Sequence, residues 1–175
     1  EPAPPTLLVA HSGAGPLLPQ IGFARRAVHR APAGYVFLDA ALPRPGRPAS
    51  RLDLLDEEDP DVAAEVGEAL AGGGWFPAWT AADLAADLPD PGARAAALAA
   101  LRPRGLDFFR EPLPYPGDWP DAPAGYLRTS AAYDRLARSA AQRGWPVVRR
   151  DSGHFAALAD PAGTAAALLE LAALL

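Results

Sequence analysis

A serine near one end of this chain and a histidine near the other stand in settings that suit nucleophilic chemistry. Ser12 lies in His11-Ser12-Gly13-Ala14-Gly15, directly after the apolar run Thr6-Leu7-Leu8-Val9-Ala10. A serine at a sharp strand-to-helix turn stands at the carboxyl end of a sheet, where open α/β folds place their sites. Small neighbours are needed there, because the turn is strained and the helix packs close to the strand. The G-x-S-x-G pattern is met in part, with Ala10 and Ala14 in place of its two glycines. On this reading the Gly13 N–H is an oxyanion donor. His154, in Ser152-Gly153-His154-Phe155, follows the last apolar run, where a general base would reach the serine from the same sheet edge.

An orienting carboxylate should lie between the two in chain order. Asp39, ending the run Tyr35-Val36-Phe37-Leu38, is the best placed, although a residue there also suits a turn cap. Asp134 falls inside a later helix, and Asp151 is close beside His154 in sequence. The run Asp56-Glu57-Glu58-Asp59 reads as a solvated face and a helix N-terminus, and His29 as a partner of a helix C-terminal dipole. The Ser12 junction has two other readings. One is a Gly-rich turn with Ser12 as N-cap. The other is a dinucleotide loop with Asp39 on an adenine ribose, although Leu18 stands where the fingerprint wants its third glycine and Pro16 lacks an N–H for a pyrophosphate. No His/Asp/Glu group has metal-ligand spacing, so neither a metal nor a cofactor is expected.

These residues need elements to hold them. Continuous apolar runs at 6–10, 35–38, 126–129 and 145–149 suit strands buried on both faces of a parallel sheet. Helices are predicted over about fifteen residues up to His29 with Pro19 in the first turns, over 131–143 with Gly144 at the C-terminus, and from Pro161 to Leu175. Residues 44–122 are proline-rich, with short helical stretches at 60–71, 81–87 and 91–101. Four aromatics among them, Trp75, Phe76, Trp79 and Phe108, lack a period of two. The expectation is one α/β domain over 1–175. Its core, at 6–43 and 123–175, is a parallel sheet of about four strands flanked by helices, and 44–122 is a helical insertion.

Composition narrows the classes. The chain has 175 residues, half of them apolar, and a net charge of −5. All 16 positive residues are Arg, and Lys, Cys, Met and Asn are absent, as in a high-GC genome. Without Cys there is no disulfide framework, thiolate metal site or cysteine nucleophile. Net acidity argues against a nucleic-acid surface, and no 18-residue apolar run exists to span a membrane. The chain opens Glu1-Pro2-Ala3-Pro4-Pro5, with neither an initiator Met nor a signal-peptide pattern, and a cytoplasmic location is expected.

Together the motifs resemble the α/β-hydrolase superfamily, especially its small esterase and hydroxynitrile-lyase-like branch. Val9-Ala10-His11-Ser12-Gly13-Ala14-Gly15 is similar to the nucleophile elbow, and Val36-Phe37-Leu38-Asp39-Ala40-Ala41-Leu42-Pro43 to the next strand. Tyr126-Leu127-Arg128-Thr129 resembles the strand before the acid loop, and Gly153-His154-Phe155 the histidine loop. The resemblance implies a truncated α/β-hydrolase fold with 44–122 as a lid. It implies Ser12 as nucleophile and His154 as base. The usual acid position falls near Ala131 and Ala132, where no carboxylate stands, and the alternative position after the elbow's neighbouring strand selects Asp39. His11, Trp75, Trp79 and Phe108 would line the substrate side. The implied reaction is hydrolysis of a small apolar ester or acyl compound. The alternatives are a non-hydrolytic lyase or cyclase, or a binding protein. Further strands precede the elbow strand in the family, so the first strand here is expected to be an open edge, covered by a second copy or a partner chain.

Overall fold

The structure is a computed structural model that describes residues 5–175; the rest of the proline-rich opening lies outside the described residues. The apolar opening run forms β1 (Leu7–Ser12). A short 3-10 turn leads into α1 (Leu18–Ala27), which carries Pro19 in its first turn. β2 (Gly34–Ala40) follows and is buried along its whole length. The insertion holds β3 (Ala49–Ser50), α2 (Arg51–Glu58), α3 (Pro60–Ala71), α4 (Pro91–Ala100), α5 (Leu106–Arg110) and β4 (Pro112–Leu113). Then come β5 (Ala124–Arg128), α6 (Asp134–Gln142), β6 (Val147–Arg149), α7 (Ala156–Ala159) and α8 (Pro161–Ala172).

Four strands form one parallel sheet in the order β1-β2-β5-β6. Side chains of β2 alternate between its faces, as the pleat requires. Tyr35 and Phe37 pack with Tyr126, Leu18 of α1, and Leu136, Ala137 and Ala140 of α6. Val36 and Leu38 pack on the other face with Leu127, Val148, and Ala167 and Leu171 of α8. Both faces are covered, which is why the strands read as unbroken apolar runs rather than alternating ones. β1 is an edge of this sheet, and Val9 on it is 49% exposed.

The insertion differs from expectation in three respects. β3 and β4 pair as a two-residue antiparallel ribbon at its base, so it is not wholly helical. α2 starts before the acidic run and carries most of it in its last turn, opened by a capping box in which Asp53 N–H donates to Ser50 Oγ and Ser50 N–H to the Asp53 carboxylate. Only Asp59 of that run serves as an N-cap, for α3. The helix predicted at 81–87 is a run of turns. Asp83 binds the Thr80 N–H at 2.7 Å, and Pro89 follows Leu88 before an i→i−4 ladder can extend. Leu84 and Leu88 are nonetheless buried. Among the described residues no helix is long and apolar enough to cross a membrane.

Gly15 is where the elbow turn touches the sheet. A Cβ there would lie 2.0 Å from the Ala41 carbonyl oxygen, a backbone atom that cannot rotate away. Gly15→Ala is expected to cost about 1–3 kcal/mol through overpacking. The melting temperature should fall by about 3–10 °C for a chain of this size, measured by calorimetry.

Candidate active site

The sheet brings Ser12, Asp39 and His154 to one edge, and the backbone at each is bent to do so. Ser12 ends β1 with φ 56° and Asp39 nears the end of β2 with φ 37°, both in the left-handed region that a side chain disfavours. The two bends are one feature. His11 pairs with Leu38 but Ser12 pairs with Ala40, so Asp39 is an extra residue bulged out of the ladder. Strain of this kind persists only where the surroundings over-determine it. Here the Tyr126 hydroxyl donates to the Ala40 carbonyl at 3.0 Å and accepts from the Ala40 N–H at 3.1 Å. The Ala41 N–H donates to the Ser12 carbonyl at 3.1 Å.

His154 enters from the loop after β6. Gly153 before it has φ 86°, and a Cβ there would meet the Asp87 carboxylate at 2.6 Å. That carboxylate accepts the His154 N–H at 3.3 Å, so a residue of the insertion helps fix the histidine loop. The His154 ring spans the gap between the other two groups. Its Nε2 is 3.1 Å from Ser12 Oγ, and its Nδ1 is 3.4 Å from Asp39 Oδ2. The other Asp39 oxygen accepts the Thr129 N–H at 2.6 Å. Asp39 is fully buried; burial alone would raise its carboxyl pKa, but hydrogen bonds from His154 and the Thr129 N–H outweigh it and hold it below the ordinary value. A serine, imidazole and carboxylate joined in this order can move a proton off the hydroxyl while keeping the imidazole in one tautomer.

The other candidate carboxylates are occupied elsewhere. Arg128 bonds both Asp134, at 2.7 Å, and Asp151, which draws each away from the His154 ring. A dinucleotide loop would need Asp39 free for a ribose, and it is buried against His154 instead. His29, just beyond α1, is exposed. Among the described residues no group of His, Cys, Asp and Glu could hold a metal.

Above Ser12 lies a cavity of about 930 Å³ between the sheet edge and the insertion, walled chiefly by apolar side chains. Of the residues named from the sequence for the substrate side, Trp79 and Phe108 border it, as does Gly13. His11 and Trp75 do not. The His11 ring packs on His154 with centroids 4.5 Å apart, and its Nε2 meets the His154 carbonyl at 2.9 Å, so it props the histidine loop from behind. Burial, then the neighbouring His154, lower the His11 pKa, which favours the uncharged ring. Trp75 is turned outward because Phe76 beside it pairs through its backbone with Arg104 and faces inward; Trp75 is 63% exposed.

Tyr133 and Glu58, on the cavity wall close to Ser12 and His154, lie outside the sequence expectations. The Tyr133 hydroxyl is 3.5 Å from Ser12 Oγ, and its ring stacks on His154 with centroids 4.9 Å apart and planes 4° from parallel. Glu58 reaches Tyr133 from the end of α2, and burial pushes its carboxyl above the ordinary range despite that hydrogen bond. The acidic run disguised Glu58 as surface. Tyr133 had a weak signal: it is the first large side chain after the strand whose following loop lacks the family's acid.

Comparison with known proteins bears on the family and the fold. The profile of the Alpha/beta hydrolase family matches residues 1–167. A search of curated proteins found no match. Among solved structures, an extracellular alpha/beta-hydrolase from a Paenibacillus species is 16% identical with a TM-score of 0.68, the match covering 94% of this chain and 71% of that one. Tomato methylketone synthase I, in a complex with beta-ketoheptanoate, is 16% identical with a TM-score of 0.66, over 98% of this chain and 72% of that one. A pyrethroid hydrolase is 18% identical with a TM-score of 0.56, over 97% and 71%. At such identities the structural likeness bears on the fold alone. With the profile spanning nearly the whole chain, the sequence and the fold agree: this chain belongs to the alpha/beta hydrolase family.

Proposed function

We propose that the chain is a serine-dependent hydrolase of a small, largely apolar ester or related acyl compound. One observation carries this reading. Ser12 Oγ, the His154 ring and the Asp39 carboxylate form a hydrogen-bonded line, with steps of 3.1 and 3.4 Å, beside the apolar cavity. In the proposed reaction Ser12 Oγ attacks the ester carbonyl as its proton passes to His154 Nε2. Asp39 holds Nδ1–H and steadies the imidazolium that forms. The Gly13 N–H donates to the oxyanion. Collapse of the tetrahedral adduct breaks the bond to the alcohol, which leaves with the proton from Nε2. Water, deprotonated by His154, then releases the acid from Ser12. Residues 44–122 act as the lid, supplying the upper wall of the cavity and Asp87 for the histidine loop.

A fluorophosphonate probe tests this directly. Incubation should give one covalent adduct per chain, mapped by peptide mass spectrometry to Ser12, with p-nitrophenyl ester hydrolysis lost in parallel. Full labelling with undiminished turnover, or labelling elsewhere, would overturn the reading in favour of a lyase, a cyclase or a binding protein.

A further inference from the structure

The cavity walls are not uniform, and their asymmetry bears on the substrate. From the His154 ring a run of aromatic contacts crosses to the opposite side. Phe155 is 5.3 Å from His154, Trp79 is 5.5 Å from Phe155, and Phe76 is 5.9 Å from Trp79. Phe109 is 5.8 Å from Phe76 and Phe108 is 5.5 Å from Phe109, each pair edge to face. The run ends between two guanidiniums. Arg51 sits 3.9 Å and Arg104 5.8 Å from the centre of the Phe108 ring. All of these residues border the cavity that also holds Ser12 and His154.

The charge at that end is cancelled only in part. Arg51 is held by the Phe108 carbonyl at 3.1 Å and by Glu111, which is itself largely exposed, at 3.6 Å. Besides its place beside Phe108, the Arg104 guanidinium donates to the carbonyl of its neighbour Pro103 at 3.5 Å, and among the described residues it has no carboxylate within ion-pair distance. The acids that border the cavity are committed elsewhere. Asp59 caps α3, Asp83 binds Thr80, Asp87 binds the His154 N–H, and Glu58 meets Tyr133. A chain with a net charge of −5 thus presents a positive rim at the far end of an apolar wall.

We infer that this site takes an ester bearing a carboxylate at the far end of its apolar chain, with Arg104, assisted by Arg51, as the anion-recognising pair. The inference rests on the hydrolase reading above. With the ester carbonyl at Ser12, the apolar chain lies along Phe155, Trp79 and Phe76, and the carboxylate meets the guanidiniums beside Phe108. Arginine suits this role because its planar fork binds carboxylates bidentately while stacking on an aromatic face. The products are a dicarboxylate and an alcohol.

The test compares p-nitrophenyl hydrogen suberate with p-nitrophenyl octanoate, which match in chain length and differ in the terminal anion. The readout is the ratio of their kcat/KM values. The native protein should favour the suberate by about tenfold, the scale of a charge-assisted contact partly open to solvent. Arg104→Gln should bring the ratio near one and Arg104→Lys should restore part of it. Salt at 0.5 M should shrink the native ratio by screening and leave that of Arg104→Gln unchanged. A ratio at or below one with Ser12-dependent hydrolysis of both esters would overturn the anion site and spare the hydrolase reading. Binding of the same two esters to Ser12→Ala, followed by calorimetry, reads the site without turnover. The suberate should bind about tenfold tighter, and equal affinity would overturn the inference even if neither ester is hydrolysed. Hydrolysis undiminished in Ser12→Ala would instead remove the hydrolase reading.

Discussion

Ser12→Ala is expected to lower kcat for p-nitrophenyl ester hydrolysis by about 10⁴–10⁶-fold while leaving the fold in place. The size of the loss follows from what the hydroxyl does. Without Oγ there is no acyl-enzyme, and His154 has no proton to take, so only the cavity and the Gly13 N–H would act on an attacking water. The fold should survive because the elbow is not held by Oγ. Its bend is fixed by the Ala14 N–H to the His11 carbonyl at 3.1 Å and by the Ala41 N–H to the Ser12 carbonyl at 3.1 Å. Alanine tolerates the φ of 56° no better than serine and loses only the contacts to His154 and Tyr133. Circular dichroism and the melting temperature should therefore match the native protein to within a few degrees. Ser12→Ala combined with His154→Ala should lose little beyond either change alone, because the two residues act as a unit. Two losses that multiply would mean that the histidine works on another group.

The sheet was legible because its physics is local. Four apolar runs of strand length, each closed by a turn or a proline, suffice to specify buried parallel strands. The sheet face against α6 likewise follows from Leu136, Ala137 and Ala140 recurring on one side of that helix. Ser12 and His154 were legible because small residues follow the first and precede the second, and the backbone there does need them: Gly15 packs on the Ala41 carbonyl and Gly153 on Asp87. What stayed hidden depends on contacts between distant segments. Tyr133 and Glu58 are 75 residues apart in number and meet only when the end of α2 folds over the sheet edge. Glu58 sits in an acidic run whose other members face solvent or cap a helix, and periodicity cannot single it out. Trp75 failed as a cavity residue for a similar reason. Composition marks the aromatic cluster, but only the pairing of Phe76 with Arg104 decides which ring turns inward.

Asp39→Asn is expected to lower kcat by about 10⁴-fold, with much less change in KM, and the hydrogen-bond directions explain why. One oxygen of Asp39 accepts the Thr129 N–H at 2.6 Å, and that backbone donor needs an oxygen opposite it. Asparagine must therefore give its carbonyl to Thr129 and turn its NH₂ toward His154 Nδ1. A donor at that position makes Nδ1 an acceptor and leaves the proton on Nε2. Nε2 then faces Ser12 Oγ, 3.1 Å away, with a proton already in place, and the serine loses its base. No other carboxylate can step in, since Arg128 holds both Asp134 and Asp151. The same substitution has a signature in stability. The Asp39 carboxyl titrates below its ordinary value, so its ionised form contributes stability that is full above the unfolded pKa of about 4 and lost as pH falls through the folded pKa. Denaturant unfolding across this acid range should show the native protein losing more stability than Asp39→Asn, which has no such proton to bind. Turnover near the native rate in Asp39→Asn would show that the imidazole is oriented by some other group, and would separate the buried carboxylate's role in the fold from any role in catalysis.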